Sequence, residues 1–184
     1  MSPEKDGVII TNDGAGESVS SSITLFEGKK IFSPSMITTL PDTLGGVYAS
    51  LTEFLGYRPY EDEGRVMGLS CYGEYSKGLA ESFSKILSKN SPSNGFYSSN
   101  PVYRYSYKRS CGHRYSDKLI ELLGLPRRKN ESPMKPRFKN IAYALQNSLE
   151  EILVNMVLWS KAEFDLNCAF FSGGVHMNCK ANGR

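Results

Sequence analysis

The chain has 184 residues, 40% of them hydrophobic and 22% charged, with a formal net charge of +3. This is ordinary globular usage, long enough for one domain with a real core and short for two, so disorder is excluded as the starting view. The charge is too weak to imply a nucleic-acid partner, no apolar run approaches the roughly 20 residues of a membrane span, and the polar opening Met1-Ser2-Pro3-Glu4-Lys5-Asp6 is no secretory signal.

Residues 7–11 are a β-branched run bounded by Asn12-Asp13-Gly14, which predicts a strand and then a tight loop. Residues 18–26 alternate loosely, Glu27-Gly28-Lys29-Lys30 reads as a turn, and Ile31-Phe32 resumes, together a β-meander. Asp42-Thr43 can cap a helix over residues 44–55, whose Val47, Leu51, Phe54 and Leu55 share one face and whose stop is Gly56. Residues 64–69 predict a short helix opened by Glu61-Asp62-Glu63, and residues 79–87 another. Residues 90–107 read as a hairpin or an ordered loop, with Tyr97, Tyr103, Tyr105 and Tyr107 suiting a half-buried ribbon better than base stacking. Ser116-Asp117 caps a helix to Leu123, ended by Gly124 and Pro126. Arg127-Arg128-Lys129 is either a solvated loop or an anion contact.

Residues 137–164 form the longest predicted helix, with Ile141, Ala144, Leu145, Leu149, Ile152, Leu153, Met156, Val157 and Trp159 on a broad apolar face. Asn167-Cys168-Ala169-Phe170-Phe171 is a buried-strand candidate, and Ser172-Gly173-Gly174-Val175 turns it toward a helix. Cys71, Cys111, Cys168 and Cys179 form no Cys-x-x-Cys pair, which excludes a zinc ribbon and a thioredoxin-type motif and suits a soluble cytoplasmic chain with reduced thiols. The chain enters a strand after six residues and stops at Asn182-Gly183-Arg184, just past a glycine turn, so a piece of a larger domain is expected.

Two glycine turns carry the chemistry. Asn12-Asp13-Gly14-Ala15-Gly16-Glu17-Ser18 lies between two predicted strands, where glycines let a phosphate approach backbone N–H groups; an ordinary hairpin would use the same residues. Ser172-Gly173-Gly174-Val175-His176-Met177-Asn178 follows a strand and opens a predicted helix, whose N-terminus would favour phosphate or a ribose edge. Neither is a Walker A loop or a G-x-G-x-x-G fingerprint. Two such turns at strand ends resemble the nucleotide cleft of the actin/Hsp70/sugar-kinase superfamily. The fold class expected is α/β, a fragment of an actin-like ATPase or ribonuclease H-like domain with a mixed sheet and flanking helices.

Between the turns lie Leu44-Gly45-Gly46-Val47-Tyr48 and Glu63-Gly64-Arg65-Val66-Met67-Gly68-Leu69-Ser70-Cys71-Tyr72-Gly73. They resemble segments of the NodU/CmcH/TobZ-type O-carbamoyltransferase family. Tyr115-Ser116-Asp117-Lys118-Leu119 with Gly124-Leu125-Pro126-Arg127, Asn140-Ile141-Ala142-Tyr143-Ala144-Leu145-Gln146, and residues 172–183 resemble further family segments in the same order. The resemblance implies that one domain of the complete protein makes carbamoyladenylate from ATP and carbamoyl phosphate. A second, similar to the tRNA threonylcarbamoyl transferase TsaD, passes the carbamoyl group to a hydroxyl. This chain resembles the central part of that second domain.

By that resemblance Asn12, Asp13, Gly14, Ala15 and Gly16 face the phosphate and carbamoyl end. Gly173, Gly174 and Asn178 face the adenosine end, and Glu63 and Arg65 line the cleft; Glu63 as a plain surface acid is the alternative. Arg65 replaces the usual Lys. His176 stands where the family has a small residue and reads as core- or solvent-directed rather than as a ligand. Cys111 and His113 do not make a metal site. The family's iron is held by a histidine motif upstream and an aspartate downstream of this span, so no metal ligand is assigned here and the span alone is expected to be inactive. No general base is identified. Partners implied are carbamoyl phosphate and a hydroxyl-bearing acceptor: an antibiotic sugar, a nodulation oligosaccharide, a cephem or a cell-surface glycan. No membrane is implied, and a homodimer stays open. The alternatives are an ATPase or kinase module of the same superfold, a tRNA-modifying protein, and a non-catalytic scaffold.

Overall fold

The computed structural model of the chain describes residues 6–92, 95–99, 102, 112–166 and 168–184. In chain order the elements are β1 (Asp6–Gly16), β2 (Val19–Glu27), β3 (Lys30–Ile31), β4 (Met36–Thr39), α1 (Leu44–Phe54), α2 (Glu63–Ser70) and α3 (Lys77–Ile86). They continue as β5 (Leu87–Lys89), β6 (Tyr97–Ser99), α4 (Asp117–Leu123), α5 (Pro136–Phe164), β7 (Ala169–Ser172), a 3₁₀ turn (Gly174–Met177) and α6 (Cys179–Asn182). The chain divides into two compact units: Met1–Gly45 with Lys89–Ser98 and Glu150–Arg184, and Gly46–Ser88 with Ser99–Leu149. It is thus a mixed α/β chain, as its sequence predicts.

The first unit is built on a mixed sheet. Among the described residues its order is β3-β2-β1-β7, with β4 also on β2. β1 and β2 are antiparallel from Asp6↔Glu27 to Asn12↔Ser21 and again at Gly16↔Val19. β7 runs parallel to β1, from Val8↔Ala169 to Thr11↔Ser172. Alternation puts Val8, Ile10 and Ile23 in the core, where Ile23 is fully buried. Ile152, Leu153 and Met156 of α5 are buried as well, and Trp159 meets Phe96 edge-on at 5.3 Å between ring centres. The turn at residues 27–30 is a two-residue hairpin around Gly28, whose φ of +57° suits glycine.

Two expectations for this unit need correction, and one strand goes unforeseen. The strand does not stop before Asn12: pairing runs through Asn12↔Ser21 and resumes at Gly16↔Val19, four residues on β1 against two on β2. Asp13, Gly14 and Ala15 therefore form a bulge rather than a tight loop, and the reversal comes at Glu17-Ser18. β7 is not buried, since Phe170 is 39% and Phe171 48% exposed. It lies at the end of the strand order and pairs with β1 alone among the described residues. Asn167, its expected first residue, lies outside the described residues. β4 is unexpected, although its Ile37, Thr38 and Thr39 are β-branched; these four residues after Ser33-Pro34-Ser35, alternately buried and exposed, add to β2 beyond β3.

β5 and β6 form a short ribbon, of which only β6 falls in the stretch 90–107 where a hairpin is expected; β5 precedes it and takes in Leu87, the expected end of the helix before it. Tyr103, Tyr105, Tyr107 and Cys111 lie outside the described residues. Tyr97 is a core residue, 1% exposed, with its hydroxyl 2.7 Å from Ser21 Oγ. Burial pushes its phenol above the ordinary value. Replacing Tyr97 by Phe keeps the ring and removes the donor, and is expected to cost about 1 kcal/mol, read as a lower urea midpoint.

In the second unit α1 buries Val47, Leu51 and Phe54 completely, and Leu55 is fully buried just past its end. Gly56, at φ +82°, stops it. The basic run is neither solvated nor set aside for an anion at Arg128: its N–H donates to Phe54 O at 2.9 Å and its guanidinium to Leu55 O at 3.1 Å. A cation thus closes the carbonyl end of α1. α4 ends on Gly124 in the left-handed region, as predicted. Ser116 precedes it without a side-chain cap bond. The first half of α5 contributes buried Ile141, Ala142, Leu145 and Leu149, and its buried Gln146 accepts from Tyr48 at 3.0 Å. No helix among the described residues is long and apolar enough to cross a membrane.

Candidate functional site

Both glycine bends belong to the first unit, and they lie side by side. The parallel ladder of β1 and β7 ends at Thr11↔Ser172, so Asn12 and Gly173 are the next residues on each strand. A methyl group on Gly173 would stand 2.2 Å from Asn12 O, and Gly173 has φ +95°. Only glycine meets both conditions. A methyl on Gly174 would stand 3.4 Å from Asp13 Oδ1, which places the Asp13 carboxylate against the second bend.

The start of α1 completes the arrangement. Thr43 Oγ1 donates to Gly14 O at 2.6 Å and lies 3.2 Å from Asp13 O. A methyl on Gly45 would meet Gly14 N at 2.6 Å. The bulge is therefore seated on the helix start. Asp13, exposed, accepts from Gly14 N at 2.7 Å. Gly16 is exposed near the end of the bulge, and Ala15 belongs to the same stretch of β1.

Behind the bends runs a polar relay. Asn12, fully buried, accepts from Ser21 Oγ at 2.7 Å, and its Nδ2 lies 2.9 Å from His176 Nε2. Ser21 has one hydrogen and gives it to Asn12, so Tyr97 must be the donor to Ser21. With Asn12 Oδ1 turned to Ser21, its NH₂ faces His176, and Nε2 must be the acceptor. The neutral imidazole then carries its hydrogen on Nδ1. His176 is half-buried, tilted over Phe171 at 4.9 Å, and burial holds it below the ordinary imidazole value.

The second bend does not open a full helix, against expectation. A 3₁₀ turn follows, closed by His176 N to Gly173 O at 3.1 Å, and α6 begins only at Cys179. Asn178, extended at ψ 91°, breaks the helix between them. Its Oδ1 accepts from Ala181 N at 3.0 Å, so it serves as the cap of α6.

Glu63 and Arg65 belong to the second unit, at the start of α2. Glu63 is not a bare surface acid: its Oε1 accepts from Tyr60 N at 2.6 Å. Exposed Arg65 pairs with Asp62 at 3.2 Å. His113 in this unit sits 3.0 Å from Glu53 Oε1 and stacks on Tyr115. Among the described residues no group of three or more His, Cys, Asp or Glu is placed to hold a metal ion. The described residues do not make the iron site that the resemblance implies for a complete protein.

Sequence reasoning missed Thr43, Gly45, Ser21 and His176 as parts of this site. Gly45 had a usable signal, since a glycine pair in the first turn of a helix weakens it unless something approaches closely. Ser21 and Tyr97 had none, because their partners are 9 and 76 residues away.

Residues 1–184 match the family model described as Carbamoyltransferase N-terminus. Uncharacterized protein sll1178 of Synechocystis sp. is 29% identical over 183 residues, covering 100% of this chain and 29% of its own length. Uncharacterized protein MJ1051 of Methanocaldococcus jannaschii is 30% identical over 187 residues, covering 100% and 33%. Nodulation protein NolNO of Sinorhizobium fredii is 27% identical over 188 residues, covering 100% and 24%. The chain thus spans about a quarter to a third of the length of these relatives.

Proposed function

The chain belongs to the carbamoyltransferase family, of the NodU type, as its N-terminal region, and from that premise we propose that its paired bends hold a carbamoyladenylate in an O-carbamoyltransferase, the first bend at the phosphate and carbamoyl end and the second at the adenosine end. The observation that carries this is the adjacency of two glycine bends beyond the last rung of one parallel strand pair. Bends at the carboxyl ends of neighbouring parallel strands suit an anionic ligand, because backbone donors can converge there without side chains in the way. In this reading the first unit belongs to an actin-like, ribonuclease H-like fold. The unbridged thiols Cys71, Cys168 and Cys179 accord with a cytoplasmic enzyme.

The chemistry balances simply. The acceptor hydroxyl oxygen forms a bond to the carbamoyl carbon, the bond from that carbon to the phosphate oxygen breaks, and AMP leaves with the electron pair. The hydroxyl proton passes to a base outside the residues assigned here. Gly14 and Gly16 leave room for the phosphate, Gly173 and Gly174 leave room for the adenosine end, Thr43 fixes the bulge that faces the phosphate, and Asp13 orients polar groups at the carbamoyl end. ATP and carbamoyl phosphate are the precursors, and the acceptor is a sugar or another hydroxyl-bearing small molecule.

The test uses full-length protein. Carbamoyl-phosphate-dependent ATP–pyrophosphate exchange should be present, and carbamoyl transfer to a panel of hydroxyl acceptors should fall by about tenfold or more in Asp13→Ala. Absence of exchange would sink the adenylate donor. Transfer at the wild-type rate in Asp13→Ala would remove the first bend from the site.

A further inference from the structure

We propose that His176 is the positioning residue that ties the two bends together: its neutral imidazole holds Asn12, and its protonation reverses that contact and loosens the site. This rests on the preceding reading only for the identity of the ligand. Backbone pairing between β1 and β7 ends at Thr11↔Ser172. One residue further, the side-chain bond from Asn12 to His176 crosses between the bends at 2.9 Å. Asn12 also presses its carbonyl on Gly173, so a shift of Asn12 is felt directly at the second bend.

The relay has a direction, from Tyr97 through Ser21 and Asn12 to His176, and it needs an acceptor at its end. A protonated imidazole has none. Two donors would then face each other across the bends. Either the imidazole leaves, or the Asn12 amide turns over and Ser21 and Tyr97 reverse with it. Ser20 Oγ, 3.4 Å from the Tyr97 hydroxyl, can receive the displaced hydrogen, because its own goes to Asp42 O at 2.5 Å.

The surroundings of His176 leave it sensitive to this. Asn12 from β1, Phe171 from β7 and Asn182 from α6, whose Nδ2 donates to His176 O, contact it without charge. The ionisable groups on those elements are engaged elsewhere or exposed. Asp13 accepts from Gly14 N, Lys180 and Arg184 reach Glu150, and Cys179 is exposed. Burial alone lowers the imidazole value, so the neutral form is the resting one and protonation falls below the ordinary range of about pH 6.5.

The experiment uses full-length protein, with ATP as the probe. Wild type, His176→Gln and His176→Ala are titrated at about pH 7.5 and about pH 5.5. Gln can accept from Asn12 but cannot titrate. At the higher pH Ala should bind about tenfold more weakly than wild type, and Gln should restore most of that loss. On acidification wild type should lose about tenfold more affinity than Gln, a comparison that cancels the titration of ATP itself. Equal losses would overturn the proposal. A relative gain in wild type would overturn it too, by showing the imidazolium acting as an ordinary cation for phosphate. Nitrogen NMR of the wild type is the second readout. The Asn12 side-chain amide should move with the midpoint of His176, and an amide that stays still through that titration would overturn the relay. If ATP binds to none of the three proteins while the amide does move, the nucleotide reading fails and the relay stands.

Discussion

Replacing Gly173 by alanine is expected to destabilise the first unit by about 3 to 5 kcal/mol, combining a strained torsion with an overlap. At φ +95° a side chain is strained whatever the space around it, and here the added methyl would also stand 2.2 Å from Asn12 O and 2.7 Å from Asn12 C. The obstacle is backbone in a paired strand, so it cannot swing aside. Gly28 separates the two effects: it has φ +57° but nothing within 4 Å of a methyl. Gly28→Ala should therefore cost only about 1 to 2 kcal/mol, from the torsion alone. Urea denaturation of both variants reads the difference. Equal midpoints would mean that the two bends do not press on each other.

Asn12→Ala should cost about 2 to 4 kcal/mol, since it strands the Ser21 hydroxyl and His176 Nε2 together and leaves a small void. Asn12 is fully buried with both ends of its amide engaged, so water cannot easily replace either partner. Asn12→Asp makes a sharper comparison. A carboxylate keeps the bond from Ser21 but faces the lone pair of Nε2, and it is satisfied only when His176 carries a proton. In wild type burial lowers the imidazole value, so its contribution to stability is present above about pH 6.5 and is lost as pH falls through the lowered value. In Asn12→Asp the value is raised, so the contribution is present below about pH 6.5 and lost as pH climbs through the new value. Thermal melts between those limits should slope in opposite directions for the two proteins, and parallel slopes would show that Asn12 and His176 are not coupled.

Much of this was legible in the residues. Val47, Leu51, Phe54 and Leu55 mark the buried face of α1 by spacing alone, and Gly124 marks the end of α4 because only a left-handed residue closes a helix that way. The glycines of both bends stand out because their spacing makes no sense for a core. What was not legible depends on distant partners. Nothing local says that the pairing continues through Asn12, because that depends on Ser21 and Thr43. Phe170 and Phe171 read as buried because aromatic runs usually are, yet β7 closes one side of the described sheet. Arg128 looked free for an anion, although the carbonyls of Phe54 and Leu55 lie 74 and 73 residues back in the chain.

The uneven count between Asn12↔Ser21 and Gly16↔Val19 separates folding from purpose. A hairpin needs no excess length on one arm, and shortening β1 there by two residues would leave an uninterrupted ladder. Ladder energetics alone would favour the shorter version. The extra stretch is therefore ballast for the sheet, and its place in the chain is explained by what it presents outward rather than by what it holds up.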